Sequence, residues 1–483
     1  MFHFTPASTE AYIALGLCFI LVCVFEFANG FHDTANAVAT VIYTNSLKPR
    51  VAVLWSAFMN FLGVMLGGIA VAYALVELLP ADVLSPPNGD PAVPMLVSLF
   101  ATALAWNVLT WWFGIPNSSS HCVIGSLIGV ALGNAFVNNR SLAQGVDWSQ
   151  IWTVLRALAI SPVLGFIGAG ALYFAIRHLV KDKHLYEPPE GDKPPVGWVR
   201  GLLILTCTTV SFSHGSNDGQ KSIGLIMLTI IGLMPATFAL NPHADMQVRQ
   251  LAESAAPAAA LIQKYGDDQK QLGLEAVQHL RQLGPALKSD GVTTGDGNDA
   301  GQVPTPGAGD QQGPKATRSA IRDEVYRIVG ELKYVAQSKD ASKEDKAAAV
   351  KIRGELRPAV EYAPWWVRVL SATCLGLGTM IGYKRIVKTL GEKVGKTHLT
   401  PAQGASAEIV GAILIGTAGF TGLPVSTTHI ITSGIAGTMV GSGSGINPAM
   451  LTRIALAWVL TLPITIAVAA GLFYVLSATP VGH

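Results

Sequence analysis

Charge is scarce in this chain. Lys, Arg, Asp and Glu make up 13% of its residues, against about 25% in ordinary soluble domains, and mean hydropathy is +0.42. Residues 51–76 carry no charge over 26 positions, and 95–114, 157–176, 369–383 and 454–479 are charge-free as well. A helix of about 20 apolar residues crosses the hydrocarbon layer of a bilayer. A soluble fold can bury one such helix but not this many, so the chain reads as an all-α polytopic membrane protein. Cysteine is also sparse: Cys18, Cys23, Cys122, Cys207 and Cys374 lie in apolar segments without zinc-ligand spacing, which reads as small buried hydrophobes. The N-terminus lacks the basic region of a cleaved signal peptide, so its apolar run reads as a retained first span. No Ser–His–Asp or metal-hydrolase constellation is visible, which leaves an enzyme without support. The net charge of +2 says nothing about partners.

What the chain does contain is two motifs, each written twice. Asn29-Gly30-Phe31-His32-Asp33-Thr34-Ala35-Asn36 has a counterpart in His214-Gly215-Ser216-Asn217-Asp218-Gly219-Gln220-Lys221. Gly114-Ile115-Pro116-Asn117-Ser118-Ser119-Ser120-His121 has a counterpart in Gly422-Leu423-Pro424-Val425-Ser426-Thr427-Thr428-His429. Interrupted apolar segments at matching positions of two halves point to a transporter's binding site.

The spacing of the motifs locates an insertion. Asp33 and His121 are 88 residues apart, whereas Asp218 and His429 are 211 apart. The difference, 123, matches the 122 residues of polar, charged sequence at 241–362. The chain thus divides into 1–240 (first repeat and start of the second), an extramembrane insert at 241–362, and 363–483 (rest of the second repeat). Within the insert, 290–316 has a disordered composition. Ile321, Val325, Ile328, Val329, Leu332 and Val335 have the spacing of an amphipathic helix. Asp296-Gly297-Asn298-Asp299 is no calcium loop, because position 307, which should be Glu, is Gly.

Spans are expected over 11–44, 51–79, 94–113, 117–137, 151–177, 201–234, 364–386, 402–420, 423–440 and 451–477. Lys48 and Arg50 mark one side, Glu77, Asp82 and Asp90 the other. Lys384, Arg385, Lys388, Lys393 and Lys396 belong in the cytoplasm by the positive-inside rule. Threading the spans on that constraint puts both termini and the insert outside and gives the halves opposite orientation, an inverted-topology repeat with broken or re-entrant helices near the midplane.

Proline suits the first turn of a helix and Ser or Thr its cap. Pro116–Ser120 and Pro424–Thr428 therefore read as helix starts, whose free N–H groups and partial positive charge favour an anion. Asp33 and Asp218 are costly in hydrocarbon and need a task, such as holding a cation or a proton. Gly30, Gly215 and Gly219 fit unwound or closely packed backbone. Glu26, about two turns before Asp33 on the same face, either joins the site or pairs within the bundle. Gly441–Gly445 is a flexible connection rather than a phosphate loop, since no strand precedes it.

On the residues 30–40, 211–221 and 424–429 the sequence resembles bacterial inorganic phosphate transporters of the PiT family, of the low-affinity metal-phosphate/proton symporter type. The resemblance implies uptake of phosphate as a neutral complex with a co-transported divalent metal (Mg, Ca or Zn), together with a proton, across the bacterial inner membrane. It leaves no tightly bound cofactor and no nucleic-acid partner; its partners are phosphate, protons, divalent cations and the lipid bilayer, with a homodimer as a candidate assembly. On this reading Ser118, Ser119, Ser120, Ser426, Thr427 and Thr428 donate to phosphate. Asp33, Asp218, Asn36 and Asn217 hold the coupling ion or proton, with Asp33 and Asp218 also meeting the metal of the complex. His32, His121, His214 and His429 are candidate proton carriers. The family pattern has Asn where this chain has His32, a departure that disfavours sodium and suits protons. The alternatives are a carrier for sulfate or another oxyanion on the same scaffold and, in another class, a membrane receptor with the insert as its sensor.

Overall fold

The computed structural model describes residues 9–79, 83, 93–141, 146, 148–188, 191, 193–233, 240–241, 248–266, 270–286 and 318–478. Asp82, Asp90 and the readings made on 290–316 lie outside the described residues. The chain folds as two units. One comprises residues 12–229 and 363–483, the other 1–11 and 230–362.

The larger unit is built from ten principal helices: α1 (Thr9–Tyr43), α2 (Pro49–Leu66), α3 (Val93–Trp112), α4 (Ser119–Val137), α5 (Trp148–Leu179), α6 (Gly197–Leu233), α7 (Trp365–Thr379), α8 (Pro401–Thr421), α9 (Thr427–Ser442) and α10 (Pro448–Ser477). Seven helices among the described residues are long and apolar enough to cross a membrane, and the chain is a multi-pass membrane protein. Helices α1 to α5 match α6 to α10 in order. The correspondence extends to a proline inside each closing helix, Pro162 in α5 and Pro463 in α10.

The two halves clasp each other. Helix α4 packs on α10 of the opposite half and α9 packs on α5. Two further crossings place glycine against glycine. A Cβ on Gly30 of α1 would sit 2.3 Å from the Leu375 carbonyl oxygen of α7, and one on Gly378 of α7 would sit 2.1 Å from that of Phe27. In the other half, a Cβ on Gly215 of α6 would meet the Asn60 oxygen of α2 at 2.2 Å, and one on Gly63 the Phe212 oxygen at 2.3 Å. Small residues let helix backbones approach in this way.

Helices α1 and α6 run antiparallel. Glu26, seven residues before Asp33, accepts a hydrogen bond from Ser222, four after Asp218. At the far end Arg200 Nε donates to the Ser46 carbonyl over 2.8 Å. That orientation is what an inverted repeat requires.

Both interruptions have one construction. Gly114 and Gly422 end α3 and α8 with φ of 65° and 77°, the left-handed region open to glycine. The N–H groups of Ile115 and Leu423 bond back to the Thr110 and Ala418 carbonyls, each at 3.0 Å, as in a Schellman turn. Pro116 and Pro424 follow. Ser118 then caps α4 and Ser426 caps α9, accepting from the His121 and His429 N–H groups at 3.2 and 3.1 Å.

Three expectations change. The Asp motifs do not unwind their helices: α1 and α6 run unbroken through Asp33 and Asp218, and their glycines serve close packing. The prolines are not at the first helical position but two residues before each serine cap. The span expected over 51–79 is two helices separated at 67–69, with Ala70–Val76 following.

The smaller unit has its own core. Ile321, Val325, Ile328, Val329, Leu332 and Val335, chosen on helical spacing, all lie on the buried face of the helix Arg318–Gln337. They pack with Leu251, Ile262, Val277, Leu280, Ile352 and Leu356. Asn241 bonds through its N–H to the Ala359 carbonyl at 2.8 Å and through Nδ2 to that of Pro358 at 2.9 Å. The ends of segment 241–362 are therefore adjacent.

Candidate functional site

The two breaks meet the two Asp motifs. Asp33 is buried in mid-α1. Ser119, the first residue of α4, donates to its Oδ2 over 3.2 Å. Thr428, in the first turn of α9, donates to its Oδ1 over 2.5 Å. Asn36, one turn along α1, donates through Nδ2 to Thr428 Oγ1 at 3.0 Å and to Asp33 Oδ1 at 3.4 Å. One carboxylate thus ties together helix starts from both halves.

Asp218 lies beside it. His214, one turn earlier in α6, places Nε2 3.4 Å from Asp218 Oδ2 and 3.7 Å from Asp33 Oδ2. Its Nδ1 lies 2.8 Å from Asn60 Oδ1, and Asn60 Nδ2 faces Thr379 Oγ1 at 3.4 Å. With its amide nitrogen so used, Asn60 presents an oxygen to the ring, so Nδ1 carries a proton and donates. In the neutral ring Nε2 is then an acceptor. Three acceptors, two carboxylate oxygens and one imidazole nitrogen, converge there, and of them only Asp33 Oδ2 is met by a donor, the Ser119 hydroxyl. Ligand atoms of Asp33, His214 and Asp218 all lie within 4.8 Å of one another. Buried acceptors in that arrangement call for a proton or a metal cation.

Of the other residues named from sequence, His32 is fully buried with Nδ1 3.7 Å from Asp33 Oδ1 and neither ring nitrogen hydrogen-bonded. Asn217 is buried with both amide atoms unpaired. Ser120 donates to the Val425 carbonyl at 2.8 Å, stitching one break to the other. Thr427 is buried in the first turn of α9. Ser118 and Ser426 accept from backbone as caps, which leaves only their hydroxyl hydrogens for a ligand. His121 and His429 lie ring to ring at 4.5 Å, and His429 stacks on Trp458 at 3.8 Å. They form a buried aromatic group where the two breaks meet rather than part of the carboxylate cluster.

Two members of the site, Asn60 and Lys221, had no role assigned from sequence. Asn60, which sets the His214 ring, gives no signal until α2 is seen against α6. Lys221 is buried, and its Nζ bonds Asp218 Oδ1 at 2.7 Å, Ser120 Oγ at 2.5 Å and the Val425 carbonyl at 3.2 Å. Its spacing of three residues from Asp218 on one helix face was the available clue.

Taken together, these features are those of a membrane transporter. Two inverted repeats face each other across a buried site of helix starts, hydroxyls and carboxylates. A family model described as "Phosphate transporter family" matches residues 29–469, and the chain belongs to that family. Its relatives include the low-affinity inorganic phosphate transporters PitB and PitA of Escherichia coli (strain K12). They are 37% and 36% identical, with 97% and 96% of this chain and 97% of each relative covered. A low-affinity inorganic phosphate transporter of Buchnera aphidicola subsp. Acyrthosiphon pisum is 36% identical with 98% of each chain covered. Among solved structures, one described as "The sodium-dependent phosphate transporter" shares the fold, with a TM-score of 0.52, 19% identity and coverage of 96% of this chain and 99% of that one.

Proposed function

We propose that this chain imports inorganic phosphate by proton symport with alternating access, the phosphate travelling as a neutral complex with a divalent metal. The observation that carries the reading is the convergence of Ser119 and Thr428 on Asp33, which sets two helix N-termini around one point. Their free N–H groups suit an oxyanion. The carboxylates beside them suit one that carries a proton. Hydrogenphosphate can donate its O–H to Asp33 or Asp218, whereas sulfate is acceptor-only and would face them unpaired. A bare dianion is costly to bury, and a metal cation meeting the Asp33, His214 and Asp218 acceptors offsets its charge. The proton takes the same group of acceptors or His32 beside it. The membrane is the bacterial inner one, with both termini and segment 241–362 on the periplasmic side.

The test is uptake into proteoliposomes of labelled phosphate and labelled sulfate, with and without magnesium. Phosphate should enter and be stimulated by magnesium while sulfate is excluded. Equal uptake of sulfate would move the reading to a general oxyanion carrier.

None of the site residues named above belongs to segment 241–362. Because its ends are adjacent, a short flexible linker in its place should leave phosphate uptake within about threefold of the full chain, a change under roughly 1 kcal/mol. Loss of uptake by a correctly inserted deletion would show that the segment helps form the site.

A further inference from the structure

The two halves of the site are equivalent by sequence and unequal in charge. In one half the elements are Asp33, Asn36 three residues later, and Thr428 from the start of α9. In the other they are Asp218, Lys221 three residues later, and Ser120 from the start of α4. Thr428 and Ser120 hold the same position in the repeated break motif, and Asn36 and Lys221 the same position in the repeated Asp motif. A neutral amide in one half is an ammonium in the other.

The surroundings of that ammonium are those of an ion. Lys221 Nζ is met by three oxygens of different kinds: the Asp218 carboxylate, the Ser120 hydroxyl and the Val425 carbonyl. An ammonium has three donors and no acceptor, so all three are used. Carboxylate, hydroxyl and backbone carbonyl are also the ligands that hard metal cations take. The residue is 3% exposed. In the matching half the Asn36 oxygen is buried and has no hydrogen-bond partner, so that position is polar, enclosed and not filled by a side chain's charge.

We infer that Lys221 is a tethered cation. It fills one of two pseudo-equivalent cation positions, so that the site has a single mobile-cation position, on the Asp33 side. With neutral imidazoles the carboxylates and the ammonium sum to one negative charge, which one proton balances. The residue is a specificity-determining one: it makes phosphate uptake independent of an added monovalent cation. The inference rests on the reading of the site as a coupled phosphate carrier.

Lys221→Asn, which gives both halves the same residue, tests it. The variant opens the position and supplies an amide oxygen in place of the ammonium. Two readouts are taken, phosphate uptake and the thermal unfolding of purified protein, each in sodium, potassium, lithium and choline media. The wild type should be indifferent to the medium in both. Lys221→Asn should be stabilised by at least one alkali cation over choline, and its uptake should rise about tenfold or more with that cation. Equal behaviour of Lys221→Asn in all four media overturns the inference. So does a Lys221→Asn protein that is unstable in every medium while Asp218→Asn/Lys221→Asn is stable, for then the position cannot accept a free ion. The unfolding readout does not depend on transport. Absence of phosphate uptake by the wild type would count against the proposed function, and the cation-dependent stability of the variant would still decide the inference.

Discussion

Asp33→Asn should abolish phosphate accumulation while leaving a stable, inserted protein. The exchange keeps size and removes charge. An amide presents one acceptor in place of two, so the bonds from Ser119 and Thr428 cannot both persist. A hydrogen bond to a charged group is worth about 1.5–3 kcal/mol, and the helix start that loses its bond is no longer held against residue 33. Asp218→Asn should also abolish accumulation, with an added effect on the fold. It leaves Lys221 buried with its countercharge gone. Removing one partner of a buried pair costs about 3–5 kcal/mol, so Asp218→Asn should unfold at a clearly lower temperature than Asp33→Asn. Uptake assays and thermal unfolding of the two purified variants check both statements. Wild-type accumulation by either variant would remove the carboxylates from coupling, and equal melting temperatures would contradict the assignment of Lys221 to Asp218 alone.

Gly215→Ala should be strongly destabilising. Its Cβ would lie 2.2 Å from the Asn60 carbonyl oxygen and 2.7 Å from the Asn60 Cα. Both are backbone atoms, so α2 and α6 must move apart. Overpacking commonly costs about 1–3 kcal/mol and more where the obstacle cannot yield. The crossing also carries function. His214 adjoins Gly215, and the Asn60 side chain holds its ring, so a shift of this contact turns His214 away from the carboxylates. The control is Gly471→Ala in α10, where nothing lies within 4 Å of an added Cβ. There the change should be neutral or stabilising by up to about 1 kcal/mol, from helix propensity alone. Thermal unfolding of the two variants, with yield of folded protein, decides it; a Gly215→Ala protein as stable as Gly471→Ala would show that the crossing is loose.

What the sequence could reveal was whatever it stated twice. The Asp motifs, the break motifs and the opposite sense of the halves were legible because each copy checks the other, and the spans followed from hydropathy. Contacts between distant segments were not legible. Gly30 and Gly215 fitted either unwound or closely packed backbone, because a lone glycine permits both. Only Gly378 and Gly63, far away in the chain, decide for crowding. Asn60 and Trp458 gain meaning only from what they touch. Lys221 was visible as the charge nearest Asp218, yet its three oxygens come from three separate helices or breaks. The serine caps show a similar limit: Ser118 and Ser119 are adjacent and alike, and only backbone geometry gives one to α4 and the other to Asp33.

The most direct measurement of the account is phosphate accumulation by the purified protein in sodium-free proteoliposomes with magnesium present and a pH gradient imposed, acid outside. Hard cations prefer oxygen ligands, and this chain sets the His32 imidazole beside Asp33 and an ammonium beside Asp218. Both features disfavour sodium and suit the proposed coupling to a proton. Accumulation above equilibrium should follow the size of the pH gradient and vanish when a protonophore collapses it. Accumulation that ignores the pH gradient and requires a sodium gradient would contradict it.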